Sequence, residues 1–232
     1  MTFCISDLHI GIGIKEKERE KIIFEFLDMV EEEGERLFLL GDIFNFYFEY
    51  RSVMPKIALP LLYRLYDMKR KGVDVRLWVG NHDYWIKDAF LWAGIPIYRE
   101  GKVFELYGKK IFFIHGDYVK PCYRSRFMKK LLRGRVPIKL FSLLHPDFGA
   151  WLGYLVTRLN RIEEEKEIKR YEVLKEFARK KLQEVDAVIV GHLHLPRHVK
   201  INEKDFIILG DWIENFTYAV IDGEGIKFRK FR

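Results

Sequence analysis

Hydrophobic residues along this chain fall into short runs, each closed by a polar or glycine-containing cluster, the pattern of buried strands that end at loops. Such runs span Thr2 to Ser6, Arg36 to Leu40, Val73 to Val79, Val103 to Leu106, Lys110 to Ile114, Ala187 to Val190 and Phe206 to Leu209. Tyr107-Gly108-Lys109 reads as a hairpin turn between the fourth and fifth, and Asp222-Gly223-Glu224-Gly225 as the turn of a final hairpin. Helical periodicity fills Lys15 to Glu33, Pro55 to Lys71 and Ile162 to Glu184. Helices between the early strands predict right-handed βαβ units, and the late hairpins predict a second, more antiparallel sheet packed on the first. The expected class is α/β with two largely buried sheets.

Residues Tyr118 to about Arg161 fit neither periodicity. They are basic and aromatic and are broken by Gly134, Pro137 and Pro146. We read them as an inserted helical cap, so that residues 1–117 and 186–232 form the core and 118–185 the cap with its return helix. At 232 residues, one core with a small insertion fits better than two domains.

Composition narrows the class. With 49% hydrophobic and 32% charged residues the chain is globular, and no apolar run reaches the roughly 20 residues of a membrane-spanning helix. MTFCISDLHI has no basic run ahead of an apolar stretch and does not read as a signal peptide. Cys4 and Cys122 make no disulfide framework, which suits a reducing cytoplasm. The formal charge of +7 favours an anionic partner. Its distribution says more: Lys120 to Lys139 holds eight Lys or Arg and no acidic residue.

The polar clusters at the strand ends carry the chemistry. Asp7-Leu8-His9 follows the first strand, Gly41-Asp42 the second, and Gly80-Asn81-His82-Asp83 the third. His115-Gly116-Asp117 and Gly191-His192-Leu193-His194 follow two later ones. Singly these are an exposed loop pair, an ordinary turn, or a turn with a left-handed asparagine. Together, at the carboxyl ends of strands where α/β folds place their ligands, they make a metal site. Carboxylate, imidazole and amide oxygen suit Mn, Fe or Zn. A glycine beside each motif is expected to let the backbone turn sharply.

These motifs resemble those of the calcineurin-like metallophosphoesterases, in order and at similar spacing from residue 6 to residue 194. Within that superfamily GDIFNFYFEY from Gly41, GNHDYW from Gly80, LHPDFGAWLG from Leu144 and LGDW from Leu209 are similar to the UDP-2,3-diacylglucosamine pyrophosphohydrolases of lipid A synthesis. The resemblance implies a two-sheet αββα sandwich and two divalent ions, with Mn²⁺ the expected metal. It implies one ion on Asp7, His9, Asp42 and His194, and another on Asp42, Asn81, His115 and His192, Asp42 bridging. His82 would stabilise charge on the phosphate or protonate the leaving oxygen, and Asp83 would orient the His82 ring. Asn45 stands where an acidic residue is common and is not counted as a ligand. Arg158, Asn160 and Arg161 are expected near the substrate phosphates, with Arg124 and Arg126 of the cap also on the substrate.

The implied partners are a UDP-linked diacylated sugar lipid and an anionic membrane surface, on the cytoplasmic face of an inner membrane. In the cap, Arg124, Arg126, Lys129, Lys130, Arg133 and Arg135 interleave with Tyr123, Phe127, Met128, Leu131 and Leu132, a pattern suited to such a surface. A packed hairpin with a solvated basic face, and a nucleic-acid groove on a soluble phosphodiesterase or nuclease, are the alternatives. A non-catalytic scaffold is a third, opposed by the filled ligand positions. Phe44, Phe46, Tyr47 and Phe48 read as core and pocket wall, and His145 and His198 as structural or exposed.

Overall fold

The computed structural model describes residues 1–119, 134–159 and 164–232. Eleven strands are present among them: β1 (Thr2–Ile5), β2 (Arg36–Leu40), β3 (Asp74–Trp78), β4 (Ile97–Tyr98), β5 (Lys102–Leu106), β6 (Lys109–Ile114), β7 (Ala187–Val190), β8 (Arg197–Ile201), β9 (Lys204–Ile208), β10 (Thr217–Asp222) and β11 (Gly225–Lys230). The helices are α1 (Glu16–Glu33), α2 (Leu59–Arg70, preceded by a 3₁₀ turn at Lys56–Ala58), α3 (Ala89–Trp92), α4 (Arg135–Phe141), α5 (Pro146–Leu159) and α6 (Glu164–Lys181).

One sheet has the order β11-β10-β1-β2-β3-β4, the other β5-β6-β7-β9-β8. Strand alternation divides the core into three layers. Phe3 and Ile5 of β1, with Leu37 and Leu39 of β2, face α1 and α2, where Ile23, Phe26, Leu27 and Leu65 cover them. Cys4, Phe38, Leu40 and Trp78 face the second sheet and pack on Ile111, Phe113, Ile189 and Ile207. Val188, Val190, Phe206 and Ile208 turn outward onto Leu174 and Ala178 of α6. The αββα arrangement follows from these alternating faces.

Two expectations need correction. The final hairpin does not join the second sheet: β10 runs antiparallel to β1 and extends the first. The second sheet is mixed, with β7 parallel to both β6 and β9. A hairpin turn fixes only its own two strands, and the distant partner is set by which apolar face remains uncovered. Strands β4 and β8 and helix α3 were not expected. Arg197-His198-Val199-Lys200-Ile201 is too polar to read as a strand because β8 is an edge, with one half-buried face.

Six loops leave the carboxyl ends of β1, β2, β3, β6, β7 and β9 and meet at one end of the sandwich. Helix α5 packs on the loop after β2 and, through Tyr154, approaches the loop after β1. Its Gly149 and Gly153 face the loop after β2, where Tyr50 and Phe46 pack so closely that a Cβ at either glycine would overlap them, at 2.0 and 2.3 Å. Its opposite side exposes Phe148, Trp151 and Leu155, and α4 exposes Val136 and Leu140. Arg124, Arg126, Asn160, Arg161 and Cys122 lie outside the described residues, as does the Arg158 side chain. Among the described residues no helix is long and apolar enough to cross a membrane.

Candidate metal centre

Four of the predicted ligands sit on backbone that side-chain-bearing residues seldom adopt: Asp7 (φ 55°), His9 (φ 45°), Asp42 (φ 51°) and His192 (φ 69°). Such residues cost about 1–3 kcal/mol each and persist where the surroundings over-determine them, typically at functional sites. The surroundings here are backbone hydrogen bonds between neighbouring loops. Asp7 N donates to Gly41 O at 3.0 Å, His9 N to Asp42 O at 3.0 Å, and Gly191 N to His115 O at 3.0 Å. Asn81 is not left-handed, so its motif is not a simple asparagine turn.

The glycines beside the ligands serve a purpose other than the expected one at two positions. Gly80 and Gly191 have ordinary φ. A Cβ on Gly80 would lie 2.1 Å from Asp42 Oδ1, and one on Gly191 would lie 2.9 Å from Asp7 Oδ2. At Gly80 the ligand itself fills the space, and at Gly191 the Asp7 carboxylate shares it with Ser6 Cβ and Leu40 O, at 2.8 and 2.9 Å. Gly41 meets both demands, with φ 85° and His115 Nδ1 at 2.6 Å from a hypothetical Cβ.

The side chains converge as two clusters, Asp7–His9–His194 and Asp42–His115–His192, each with one ligand atom per residue within 4.8 Å of the others. In the first, His9 Nε2 and His194 Nε2 are 3.1 Å apart, and Asp7 Oδ1 is 3.8 Å from the former and 3.7 Å from the latter. Ligand atoms around a tetrahedral ion with bonds of ~2.0–2.1 Å stand about 3.3 Å apart, so this triangle fits a cation. In the second, His115 Nδ1 is 2.7 Å from Leu40 O. Only an N–H approaches a carbonyl that closely, so Nδ1 carries a proton and Nε2 points at Asp42 Oδ2, 3.3 Å away. A nitrogen and a carboxylate oxygen so placed are brought together by positive charge, either a proton on Nε2 or a cation held by both.

The unsatisfied atoms say the same. Asp7 Oδ1, His9 Nδ1, Asn81 Oδ1, His115 Nε2 and His192 Nδ1 are buried and have no hydrogen-bond partner among the described residues. Each such group costs about 1–3 kcal/mol, and coordination of a cation by those facing the centre offsets that penalty. The remaining carboxylate oxygens are used: Asp7 Oδ2 accepts from His192 N at 2.9 Å and Asp42 Oδ1 from His82 N at 2.8 Å. Charge follows the geometry. Burial works against ionising Asp42, yet the rings of His115 and His82 hold it well below the usual carboxylate range. Burial likewise opposes a charge on His115, but Asp42 pushes it up to about 10. Burial, then the charge of His115, pushes His192 down to about 3. The centre is anionic and draws positive charge to one point.

The expected role of Asp83 is not what the structure shows. Its Oδ2 accepts from Ile43 N at 2.7 Å and its Oδ1 from Gly80 N at 2.6 Å, which ties the Asp42 loop to the Asn81 loop. Burial and the charge of Asp42 raise it to about 7. The His82 ring is oriented instead by Asn45 O, 2.7 Å from its Nδ1. This leaves Nε2 free for other work. The Asn45 side chain reaches Thr157 of α5, Nδ2 to Oγ1 at 3.4 Å.

Sequence reading missed a support beneath His194. Asp211 Oδ1 accepts from Ile213 N and Glu214 N at 2.7 and 2.8 Å. Its Oδ2 accepts from Asn215 Nδ2 at 2.6 Å, and the same Nδ2 donates to His194 O at 3.0 Å. The Gly210-Asp211 pair at a strand end was the available signal. Glu49 was also missed: its buried carboxylate accepts from Lys87 N, Asp88 N and Ala89 N at 2.8, 2.9 and 3.0 Å and so joins the second and third loops. Of the other histidines, His145 is exposed beside Asp147, and His198 pairs with Asp205 at 2.6 Å.

The calcineurin-like phosphoesterase family model matches residues 2–196, a span that includes every residue of both clusters. The chain belongs to the calcineurin-like phosphoesterase family. Among curated calcineurin-like relatives, a UDP-2,3-diacylglucosamine hydrolase of Porphyromonas gingivalis is 31% identical, covering 94% of this chain and 92% of that one. A protein of the same name from Neisseria meningitidis is 28% identical, covering 98% and 96%. Among solved structures, a hypothetical protein of Pyrococcus horikoshii is similar with a TM-score of 0.52 at 13% identity, covering 99% of this chain and 88% of that one. An archaeal phosphodiesterase gives 0.50 at 13% identity, covering 98% and 96%. These two likenesses speak to the fold. Family and relatives together make this calcineurin-like chain a phosphoesterase, a hydrolase whose His/Asp clusters suit divalent ions.

Proposed function

We propose that this enzyme hydrolyses the pyrophosphate bond of UDP-2,3-diacylglucosamine, releasing UMP and 2,3-diacylglucosamine 1-phosphate. Asp7, His9, Asp42 and His194 hold one divalent ion and Asp42, Asn81, His115 and His192 the other, with Mn²⁺ the favoured metal. The observation that carries the metal chemistry is the pair of converging His/Asp clusters, with Asp42 Oδ2 at 3.3 Å from His115 Nε2. Bound ions supply a nucleophile at neutral pH and offset charge on the phosphoryl oxygens.

The chain's own residues do the rest. Asn45 O fixes the His82 tautomer with its proton on Nδ1. His82 Nε2 is thereby presented to the phosphate, where a protonated ring stabilises charge or passes its proton to the leaving oxygen. Asp83 acts through the backbone, keeping Asp42 and Asn81 in register.

The lipid half of the substrate is supported by the relatives' names and by α5. That helix is held against the loop after Asp42 by its glycine face, and this leaves Phe148 (50% exposed) and Trp151 (57% exposed) uncovered near the site. These rings stack at 5.5 Å and offer an apolar surface for acyl chains. The basic run from Lys120 to Lys139 suits the anionic face of a membrane, on the cytoplasmic side where the nucleotide-linked lipid is presented.

Acyl dependence tests the substrate. Turnover of UDP-2,3-diacylglucosamine in mixed micelles is expected to exceed that of UDP-glucosamine by at least about 100-fold in kcat/KM, the scale of ~3 kcal/mol from buried acyl methylenes. Equal kcat/KM for both would remove the lipid from the account and leave a general phosphodiesterase.

A further inference from the structure

Helix α1 lies beneath the first loop, and one of its residues reaches into the base of the metal centre. Arg19 is only 2% exposed. Its Nη2 donates to the carbonyl of Leu8, the residue between Asp7 and His9. Its Nε donates to Trp212 O at 3.0 Å. Trp212 N in turn donates to Asp7 O at 3.1 Å, and Trp212 belongs to the Asp211–Asn215 turn that holds His194 O through Asn215 Nδ2. The remaining guanidinium nitrogen faces Glu16 Oε2 at 3.6 Å, while the Glu16 carboxylate accepts from Gly11 N and Gly13 N at 2.7 and 2.9 Å. One buried planar fork therefore touches the segment that carries Asp7 and His9 and the turn that braces His194 O.

The other cluster has supports of its own, besides the bonds from His9 N to Asp42 O and from His192 N to Asp7 Oδ2 that join the two. Asp42 is fixed by His82 N and His115 by Leu40 O, neither of which involves α1. Burying a guanidinium is unfavourable unless every donor is placed. Here Nη2 is spent on the Leu8 carbonyl between two left-handed ligand residues and Nε on the Trp212 carbonyl, while Nη1 has only the ion pair with Glu16 and no hydrogen-bond partner among the described residues. A rigid fork is suited to holding two carbonyls in a way an ammonium is not.

We propose that Arg19 is a positioning residue that pre-forms the Asp7–His9–His194 ion site and leaves the Asp42–His115–His192 site to its own supports. The proposal rests on the two-ion reading above. Removal of groups that orient ligands lowers metal affinity by about 10–100-fold. A residue that only staples the core would change stability and leave both affinities alone.

The test is Mn²⁺ titration of the full-length apoprotein by calorimetry, with bound metal counted by mass spectrometry and folding followed by circular dichroism. Arg19→Met is expected to weaken one of two ions by about 10–100-fold and spare the other. His194→Ala identifies which ion that is. Arg19→Lys, which keeps a buried cation but has no fork, should recover part of the loss. Asn215→Ala, a half-buried neutral change that cuts the tie at the His194 end, should weaken the same ion, so the proposal stands or falls even where Arg19→Met does not fold. Two ions bound with parental affinities in Arg19→Lys and Asn215→Ala, or equal weakening of both ions, would overturn it. A parent protein that takes up fewer than two ions would overturn the metal reading itself, and the proposal with it.

Discussion

Asp42 Oδ1 leaves no room for a side chain at position 80. With a Cβ only 2.1 Å from that oxygen and 2.5 Å from Asp42 N, Gly80→Ala must push the bridging carboxylate off its position. Overpacking of this kind costs about 1–3 kcal/mol. The variant should fold, lose at least about 100-fold in activity as a misplaced ligand does, and bind less metal; activity and metal content near parental levels would refute the steric account. Away from the centre, the Asp205 carboxylate is held below the usual range: burial works against this, but Lys200 and His198 overcome it. Its contribution to stability is therefore complete above the unfolded carboxylate value of about 3.9 and fades as pH falls through the lower folded value. Asp205→Asn should melt earlier than the parent at pH 7, and the gap in Tm should close below about pH 4; a gap constant with pH would contradict this. At this scale the chemistry-bearing residues were legible because metal ligands have few possible types and stand at strand ends. Their supports were not. Arg19 lies in a run of alternating charge, Lys15 to Lys21, in which nothing marks one arginine as buried, and Asp83 sits beside His82 in sequence while its oxygens turn to Ile43 N and Gly80 N.

Helix α5 shows how one element serves two surfaces. Gly149 and Gly153 are spaced one turn apart, so the side that docks on Phe46 and Tyr50 is bare, and the bulky residues are left for the other side. Gly153→Val would drive a branched side chain into the Phe46 ring, 2.3 Å from a bare Cβ. The expected outcome is an intact core, unchanged hydrolysis of a small aryl phosphodiester, and KM for the diacylated substrate raised about 10-fold, roughly 1.4 kcal/mol of lost acyl contact. Equal losses on both substrates would place the effect in the metal centre and not in the helix. The chain's short apolar runs predicted most of the strands well, since buried strands on either side of a sheet interface are apolar at every position. The edges were harder. β8 alternates charge with apolar residues, and β4 has two residues, each too little to register as a strand.

The whole molecule is arranged so that six strand ends from two sheets face one another. Phe38, Trp78, Phe104 and Phe113 lock the sheets together, with ring centroids 5.0–6.0 Å apart, and so fix the distance between Asp42 on one sheet and His115 on the other. The misplaced final hairpin illustrates what local sequence cannot carry: β10 pairs with β1 because that edge of the first sheet is open, a fact about the assembled fold. The ordered motifs from Asp7 to His194 were enough to predict the centre because the topology brings every one of those strand ends to the same place. The measurement that tests this account most directly is UMP release from UDP-2,3-diacylglucosamine in mixed detergent micelles with Mn²⁺, comparing the parent with Asp42→Ala. The account predicts metal-dependent release of UMP by the parent and none by a folded Asp42→Ala. Release by that variant at a rate near the parent's would contradict the bridging role of Asp42 and the metal centre built on it.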